Sequence, residues 1–291
     1  FKGSGVAIIT PFINDSSIDF SALGRVVEHI IRGGINYIVV LGTTGESVTL
    51  TKDAKKAVIS YVIEAVNGRV PIVAGIGGNN TQEVINTIRH TDFTGIDGIL
   101  SVAPYYNKPT QRGLFQHFKS IANCSPVPVI MYNVPGRTGC NLTADTCIEL
   151  AKECENIAGV KEASGDLAQI MKIIRGKPES FNVISGDDML TLPVIAAGGA
   201  GVISVLANAF PAATAELVSN ALKSNFKTAR ELQFKYLELT ELLFTEGNPA
   251  GVKAMLGILN KCQNTLRLPL VPVSRSTLTR IQKAVEEVMK G

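Results

Sequence analysis

The chain has 291 residues, 45% of them hydrophobic and 18% charged, which is enough apolar sequence for a full-sized core and excludes intrinsic disorder. Its formal net charge of +3 comes from interspersed charges of both signs, and this excludes the basic surface of a nucleic-acid-binding protein. The three histidines are scattered, and the uncharged residues 189–215 are interrupted by prolines and glycines, so neither a zinc site nor a membrane span is expected.

Short apolar runs rich in β-branched residues predict eight strands. The runs are continuous rather than alternating, which is typical of a parallel sheet covered on both faces. In chain order they are residues 5–9, 37–41, 72–74, 98–102, 129–132, 159–161, 183–185 and 202–206.

Segments with the three- and four-residue spacing of amphipathic helices separate these runs. Asn80 followed by Glu83, for example, is the pattern of a helix start with a capping side chain. Eight strand–helix units in about 220 residues predict a (β/α)8 barrel. A doubly wound open sheet is the alternative, and the count of eight favours closure.

The alternation ends after Ser224, and the remaining sequence is helical in pattern. Residues 226–244, 249–262 and 276–289 predict three further helices. We therefore expect a barrel domain over residues 1–224 and a C-terminal helical domain over residues 225–291, available for packing or assembly.

The cysteines indicate a reducing environment. There are five, an odd number, and no C-x-x-C motif occurs, so they are expected to be free thiols. The first residues contain no long apolar segment of a secretory signal. We expect a cytoplasmic protein.

One lysine interrupts the sixth predicted strand. Function in such barrels sits at the carboxyl ends of the strands, and Lys161 lies there within an apolar run. A lysine removed from water at this place can supply a neutral amine nucleophile. Alternatively, its head group reaches water or pairs with the adjacent Glu162.

The fifth and second strands end in further polar side chains. Tyr132 can relay a proton and Arg137, on the following loop, can grip a carboxylate. Thr43 and Thr44 lie between glycines after the second strand, an arrangement that suits an anion. The alternatives are a packed core tyrosine, a surface arginine and an ordinary glycine-rich turn with a helix cap.

Two adjacent tyrosines, Tyr105 and Tyr106, follow the fourth strand in a loop bounded by prolines, and they indicate a pocket wall, an interface or simply a packed loop.

Taken together, the strand ends carry a nucleophile, a proton relay, an anion-binding turn and a carboxylate clamp. This combination favours Schiff-base chemistry on a keto acid.

Four motifs carry a resemblance to a known family. In order and spacing they resemble the dihydrodipicolinate synthase family, within the pyruvate-dependent class I aldolase superfamily that includes N-acetylneuraminate lyase. The motifs are G-T-T-G-E at 42–46, Y-Y-N-K-P at 105–109, Y-N-V-P-G-R-T at 132–138 and G-V-K-E-A at 159–163. The resemblance extends over essentially the whole chain.

The resemblance implies catalytic roles. According to the resemblance, Lys161 forms the Schiff base with pyruvate, and Tyr132 is the general acid and base. Thr43 links Tyr132 to Tyr106 in a proton relay, and Tyr106 reaches into the active site of the neighbouring subunit.

It also implies how the substrates bind. Thr44, with the backbone around Gly186 and Ile203, would hold the pyruvate carboxylate. Arg137 would bind the carboxylate of L-aspartate 4-semialdehyde, the aldehyde that the pyruvate enamine attacks. Members of the family are usually homotetramers built from tight dimers, need no metal or organic cofactor, and serve lysine and diaminopimelate biosynthesis.

Two other functions stay open. One is another pyruvate aldolase or lyase acting on a sugar acid, such as N-acetylneuraminate lyase, although sialic acid lyases as a group lack the P-G-R-T turn that contains Arg137. The other is a catalytically silent relative that only binds a small molecule, although no catalytic position is substituted here.

The resemblance further implies a site for feedback inhibition. In lysine-sensitive bacterial members, an allosteric pocket for lysine lies at the dimer interface. The matching residues here are Ser47, Val48, Lys52, Lys55, Asn79, Glu83 and Tyr105. Lys52 and Lys55 depart from the pattern because the sensitive enzymes carry histidines there, which can be neutral at pH 7. We therefore expect weak or absent inhibition by lysine.

Overall fold

Eight parallel strands close into a barrel within residues 1–290, the part of the chain that the computed structural model describes. The strands are β1 (Gly3–Ala7), β2 (Tyr37–Val40), β3 (Ile72–Gly75), β4 (Gly98–Val102), β5 (Val129–Asn133), β6 (Ile157–Glu162), β7 (Asn182–Ser185) and β8 (Gly201–Ser204). They follow one another in sequence order, and β1 also pairs with β8. The predicted (β/α)8 barrel is confirmed, and the open sheet is excluded because its outer strands would be unpaired.

The predicted strand bounds differ most at β1 and β8. Ile8 and Ile9 continue the apolar run of β1 and are fully buried, but the Ile9 amide donates to the Asn208 side chain at 3.1 Å rather than to a strand. Val205 and Leu206 likewise belong to a tight turn after β8. Apolar sequence continues past both strands because these turns are also part of the core.

Helices surround the barrel in the expected alternation. They are α1 (Phe20–Arg32), α2 (Lys52–Val66), α3 (Thr81–Arg89), α4 (Gln111–Cys124), α5 (Pro135–Thr138), α6 (Ala144–Glu153), α7 (Leu167–Gly176), α8 (Thr191–Ala196) and α9 (Pro211–Leu222). The Asn80 side chain accepts hydrogen bonds from the amides of Gln82 and Glu83, so the predicted cap of α3 is confirmed.

The C-terminal part is helical, as predicted, with one difference in its division. It consists of α10 (Phe226–Lys235), α11 (Leu237–Phe244), α12 (Ala250–Ile258) and α13 (Arg275–Lys290). The segment predicted as a single helix over 226–244 is divided at Tyr236. The Tyr236 ring packs on the Phe210 ring, with centroids 5.2 Å apart, and this contact holds the junction against the barrel.

Side chains fill the barrel interior. Tyr37 lies there fully buried beside Val73 and Leu100, and it fits only because residue 5 is a glycine. A Cβ on Gly5 would lie 2.4 Å from the Tyr37 ring, so a larger residue would displace the ring. The filled interior leaves the strand ends as the place for a site.

Two other observations bear on function. No helix among residues 1–290 is long and apolar enough to cross a membrane. The same residues contain no group of three or more histidine, cysteine, aspartate or glutamate side chains arranged to hold a metal ion.

Candidate active site

Lys161 and Tyr132 lie side by side at the carboxyl ends of neighbouring strands. The two residues are register partners across β5 and β6. The lysine Nζ lies 4.2 Å from the centroid of the tyrosine ring, and the two residues are 5% and 6% exposed. The amine therefore sits over an aromatic face in a largely water-excluded place.

Lys161 does not pair with Glu162. The two side chains leave β6 on opposite faces, and the Glu162 carboxylate is engaged elsewhere. It accepts hydrogen bonds from the side chains of Asn133 (3.1 Å) and Gln169 (3.0 Å) and from the Ser164 amide (2.8 Å). Across the described part of the chain, the Lys161 side chain takes part in no ion pair and no hydrogen bond. The alternative of a Lys161–Glu162 ion pair is therefore wrong, and the amine is free for chemistry.

Gly186 makes room for the lysine stem. It follows β7, and its amide donates to the Glu162 carbonyl at 2.8 Å. A Cβ at this position would lie 3.0 Å from Cε of Lys161 and 2.8 Å from Cβ of Ala163. Ile203 lies on the adjacent strand β8, fully buried. The two predicted backbone contacts, Gly186 and Ile203, thus come from neighbouring strands, and Gly186 lies against the lysine.

The turn after β2 is held from the C-terminal helices. Thr43 to Gly45 form a single tight turn, and Thr44 is buried. The Asn248 side-chain Nδ2 donates to Thr44 Oγ1 at 2.9 Å. Glu46, which ends the turn with φ 51°, forms a fully buried ion pair with Lys253.

Sequence reasoning missed Asn248 and Lys253. The available signals are an asparagine directly before a proline and a lysine inside the apolar helix α12. Neither signal names a partner, because Asn248 and Lys253 lie more than 200 residues from Thr44 and Glu46.

A buried carboxylate holds the end of β8. The Asp188 side chain accepts hydrogen bonds from the Ser204 hydroxyl and from the amides of Val205 (2.8 Å) and Leu206 (3.3 Å). Burial raises the pKa of the Asp188 carboxyl, and these hydrogen bonds oppose the rise. The carboxyl ends of β7 and β8 are thereby fixed to each other.

Arg137 lies on α5, a single helical turn absent from the sequence prediction. Pro135 begins this turn, and Gly139, in the left-handed region at φ 72°, ends it. Arg137 is exposed and forms no ion pair within residues 1–290. Its guanidinium is therefore available for an anionic ligand.

Tyr106 is exposed to solvent in the single chain. It is 88% exposed and has a left-handed backbone with φ 74°, a conformation that is uncommon for a bulky residue. No hydrogen bond among the described residues joins Thr43, Tyr132 and Tyr106. Residues 1–290 of a single chain thus form none of the hydrogen bonds of the predicted relay, which stays a prediction.

The predicted lysine pocket is an open surface in a single chain. The Asn79 side chain donates to the Tyr105 carbonyl at 3.4 Å, which joins the loops after β3 and β4. Val48 is exposed. Lys52 begins α2, and burial lowers the pKa of the half-buried Lys55 in the same helix turn. Ser47 is half-buried, and Glu83 is exposed in the first turn of α3.

The comparisons with known proteins agree with one another. The profile of the Dihydrodipicolinate synthetase family matches residues 1–288. The 4-hydroxy-tetrahydrodipicolinate synthase of Parabacteroides distasonis is 50% identical over 287 residues, covering 99% of this chain and 97% of that protein. That of Flavobacterium psychrophilum is 49% identical over 290 residues, covering 100% of this chain and 99% of that protein.

Solved structures give the same result. The dihydrodipicolinate synthase of Aquifex aeolicus superposes with a TM-score of 0.95 at 42% identity, covering 99% of this chain and 98% of that one. That of Thermotoga maritima superposes with a TM-score of 0.97 at 39% identity, covering 99% of both chains. The similarity therefore extends over the barrel and the C-terminal helices alike.

Proposed function

Because this chain belongs to the dihydrodipicolinate synthetase family, we propose that it condenses pyruvate with L-aspartate 4-semialdehyde through an imine at Lys161. The chain is a lyase of the class I aldolase type, with 4-hydroxy-tetrahydrodipicolinate synthase activity. The observation that carries the mechanism is the Lys161 amine, which is buried, has no ion-pair partner among the described residues and lies against the Tyr132 ring. An amine kept free of a carboxylate partner is what nucleophilic attack on a ketone requires.

The reaction proceeds through an imine, an enamine and a condensation product that is still bound to Lys161. Lys161 Nζ attacks the C2 carbonyl of pyruvate, and the carbinolamine loses water to form the imine. Loss of a proton from C3 gives the enamine, whose C3 attacks the aldehyde carbon. We assign the proton transfers to Tyr132, and the support is that Lys161 Nζ lies 4.2 Å from the centroid of its ring. The amino group contributed by the semialdehyde then attacks the imine carbon C2 and closes the ring, the bond from C2 to Nζ breaks, and the Lys161 amine is released.

Three groups are proposed to hold the pyruvate carboxylate. They are the Thr44 hydroxyl and the backbone around Gly186 and Ile203. Support comes from the packing of the Lys161 stem on Gly186, which places that backbone beside the nucleophile. An imine on Lys161 would put the pyruvate carboxylate within reach of the same strand ends.

We propose that Tyr106 completes the site of a neighbouring subunit, in a homotetramer built from tight dimers. The support is its exposure on a strained loop position. A large aromatic side chain left in water is typical of an interface residue. Thr43 would then link Tyr132 of one protomer to Tyr106 of its partner. We place the enzyme in the cytoplasm, in the biosynthetic route to lysine.

We expect Arg137→Ala to raise KM for L-aspartate 4-semialdehyde while imine formation with pyruvate is preserved. The loss of a bidentate, charge-assisted contact removes on the order of 1.5–3 kcal/mol of binding free energy. Arg137→Lys serves as the matched control, because it keeps the charge and loses the planar fork. Unchanged aldehyde kinetics in Arg137→Ala would rule out this substrate assignment, and cleavage of N-acetylneuraminate by the native protein would favour the sugar-acid lyase instead.

We expect free L-lysine to inhibit weakly or not at all. Two ammonium groups, Lys52 and Lys55, lie at the start of α2 in the proposed pocket. A like-charge contact at about 4 Å and an effective dielectric constant of about 20 costs roughly 4 kcal/mol before the flexible side chains move away. An inhibition titration measures this directly, with Lys52→His/Lys55→His as the variant expected to gain inhibition. Strong inhibition of the native enzyme at sub-millimolar lysine would contradict the expectation.

A further inference from the structure

We propose that Asn248 is a positioning residue. It fixes the direction of the Thr44 hydroxyl, so that the hydroxyl proton of Thr44 is donated to the carboxylate of pyruvate. The inference rests on the proposed function, since it takes Thr44 as a pyruvate ligand. Asn248 lies in the turn between α11 and α12 and meets Thr44 across the junction between the C-terminal helices and the barrel. Both residues are buried.

The Thr44 hydroxyl has one proton to donate. Threonine Oγ1 carries one proton and can accept through its lone pairs. Nδ2 of Asn248 donates to Thr44 Oγ1 at 2.9 Å, and an amide nitrogen cannot accept in return. The Thr44 proton is therefore not used by Asn248. Within residues 1–290 the Thr44 side chain forms no hydrogen bond besides the one that it accepts from Asn248. Its proton is therefore available to an anion, and such a hydrogen bond would be charge-assisted.

The other end of the Asn248 amide makes no competing contact. Its Oδ1 is buried and has no hydrogen-bond partner among the described residues. Within residues 1–290 the Asn248 amide is therefore held to Thr44 through Nδ2, and no bond at Oδ1 turns it away from the hydroxyl.

The first turn of α12 holds Asn248 in register with the threonine turn. The Lys253 amide donates to the Pro249 carbonyl at 3.0 Å, within the same helical turn. The Lys253 side chain forms the buried ion pair with Glu46, at the end of the threonine turn. The 43–46 turn is thus attached both to α12, through Lys253, and to the turn before it, through Asn248. Of these two contacts, the one from Asn248 reaches Thr44, the proposed ligand of pyruvate.

The experiment measures how borohydride trapping of the imine depends on pyruvate concentration, together with steady-state kinetics. In Asn248→Ala we expect a roughly tenfold rise in the half-saturating pyruvate concentration, the effect of one misdirected hydrogen bond to a charged group. KM for the aldehyde and kcat at saturating pyruvate should change little. In Asn248→Asp the rise should be larger, because the carboxylate accepts the Thr44 proton and repels the substrate carboxylate.

A double-mutant cycle with Thr44→Val separates positioning from packing. If Asn248 acts through the Thr44 hydroxyl, Asn248→Ala adds almost nothing in the Thr44→Val background. Asn264→Ala is the matched control. Its Oδ1 is also buried without a partner among the described residues, it lies in the same C-terminal part, and it bonds to none of the proposed site residues. It should leave the pyruvate dependence unchanged.

Several outcomes would overturn the inference. They are native pyruvate dependence in Asn248→Ala, native behaviour of Asn248→Asp, and effects of Asn248→Ala and Thr44→Val that add in full. If Asn248→Ala does not fold, Asn248→Asp and Thr44→Val decide the matter. Absence of an imine on Lys161 in the native enzyme would instead overturn the proposed function itself, and that result is independent of every Asn248 variant.

Discussion

Replacing Lys161 by alanine is expected to abolish turnover, with a fall in kcat of roughly 10³- to 10⁶-fold, between the loss of a general acid or base and the loss of a nucleophile. Without the amine no imine forms, and the C3 proton of pyruvate keeps its low acidity. Lys161→Arg should lose as much, because a guanidinium keeps the charge and is not a nucleophile. Stability should change little, since Lys161 forms no ion pair in the described part of the chain.

The direct measurement is reduction with borohydride in the presence of pyruvate, followed by peptide mapping. One reduced pyruvate should be found per chain, on the peptide that contains Lys161. Lys253 is the internal control, because it is also a fully buried lysine, but its Nζ is bonded to Glu46 and lies over the Phe12 ring. Label on Lys253, on another peptide or on none would exclude the proposed mechanism, and so would near-native turnover by Lys161→Ala.

The barrel was predictable because each strand is buried on both sides. Strands that are buried on both faces appear in the sequence as continuous apolar runs. The number of such runs, eight, favours a closed barrel. The ends of β1 and β8 were predicted too late in the sequence, because buried apolar residues such as Ile9 and Val205 continue past the last strand residue. The break at Tyr236 was also missed, because a tertiary contact with Phe210 holds it and no glycine or proline marks it.

The site was predictable where it depends on strand neighbours. Lys161 and Tyr132 lie on successive strands at the same level, so parallel pairing brings them together. Contacts from distant sequence were not predictable. Asn248 meets Thr44 across 204 residues, and nothing in either local pattern indicates the pair. The same holds for Glu46, which precedes a loop in sequence and is a buried anion in the fold.

That buried anion carries the second large effect. Glu46 Oε1 lies 2.5 Å from Lys253 Nζ with both side chains fully buried, and Lys253 Nζ also donates to the Thr265 carbonyl at 2.9 Å. Burial lowers the pKa of Lys253, while the charge of Glu46 opposes that shift. The second carboxylate oxygen accepts from the Arg267 amide at 3.0 Å. Among residues 1–290, the partners of this carboxylate thus come from the C-terminal part.

Lys253→Met is expected to lower the free energy of unfolding by about 3–5 kcal/mol, because it leaves the Glu46 carboxylate buried without its cation. The double variant Glu46→Gln/Lys253→Met should be less destabilised than the sum of the single variants, since no uncompensated charge remains. Urea denaturation at constant protein concentration measures both effects, with an unchanged slope as evidence of a common unfolded state.

Lys119→Met is the matched control for the pair, because Lys119 and Glu153 form an ion pair of 2.9 Å between exposed side chains, where water screens the charges and little stability is expected from the contact. Equal destabilisation by Lys119→Met and Lys253→Met would show that the buried pair has no special role.

Since Glu46 ends the turn that contains Thr43 and Thr44, loss of the buried pair should also affect pyruvate binding. Under conditions where Lys253→Met is fully folded, its pyruvate KM should rise, because the turn has lost its ion pair with α12. Lys119→Met should bind pyruvate as the native enzyme does.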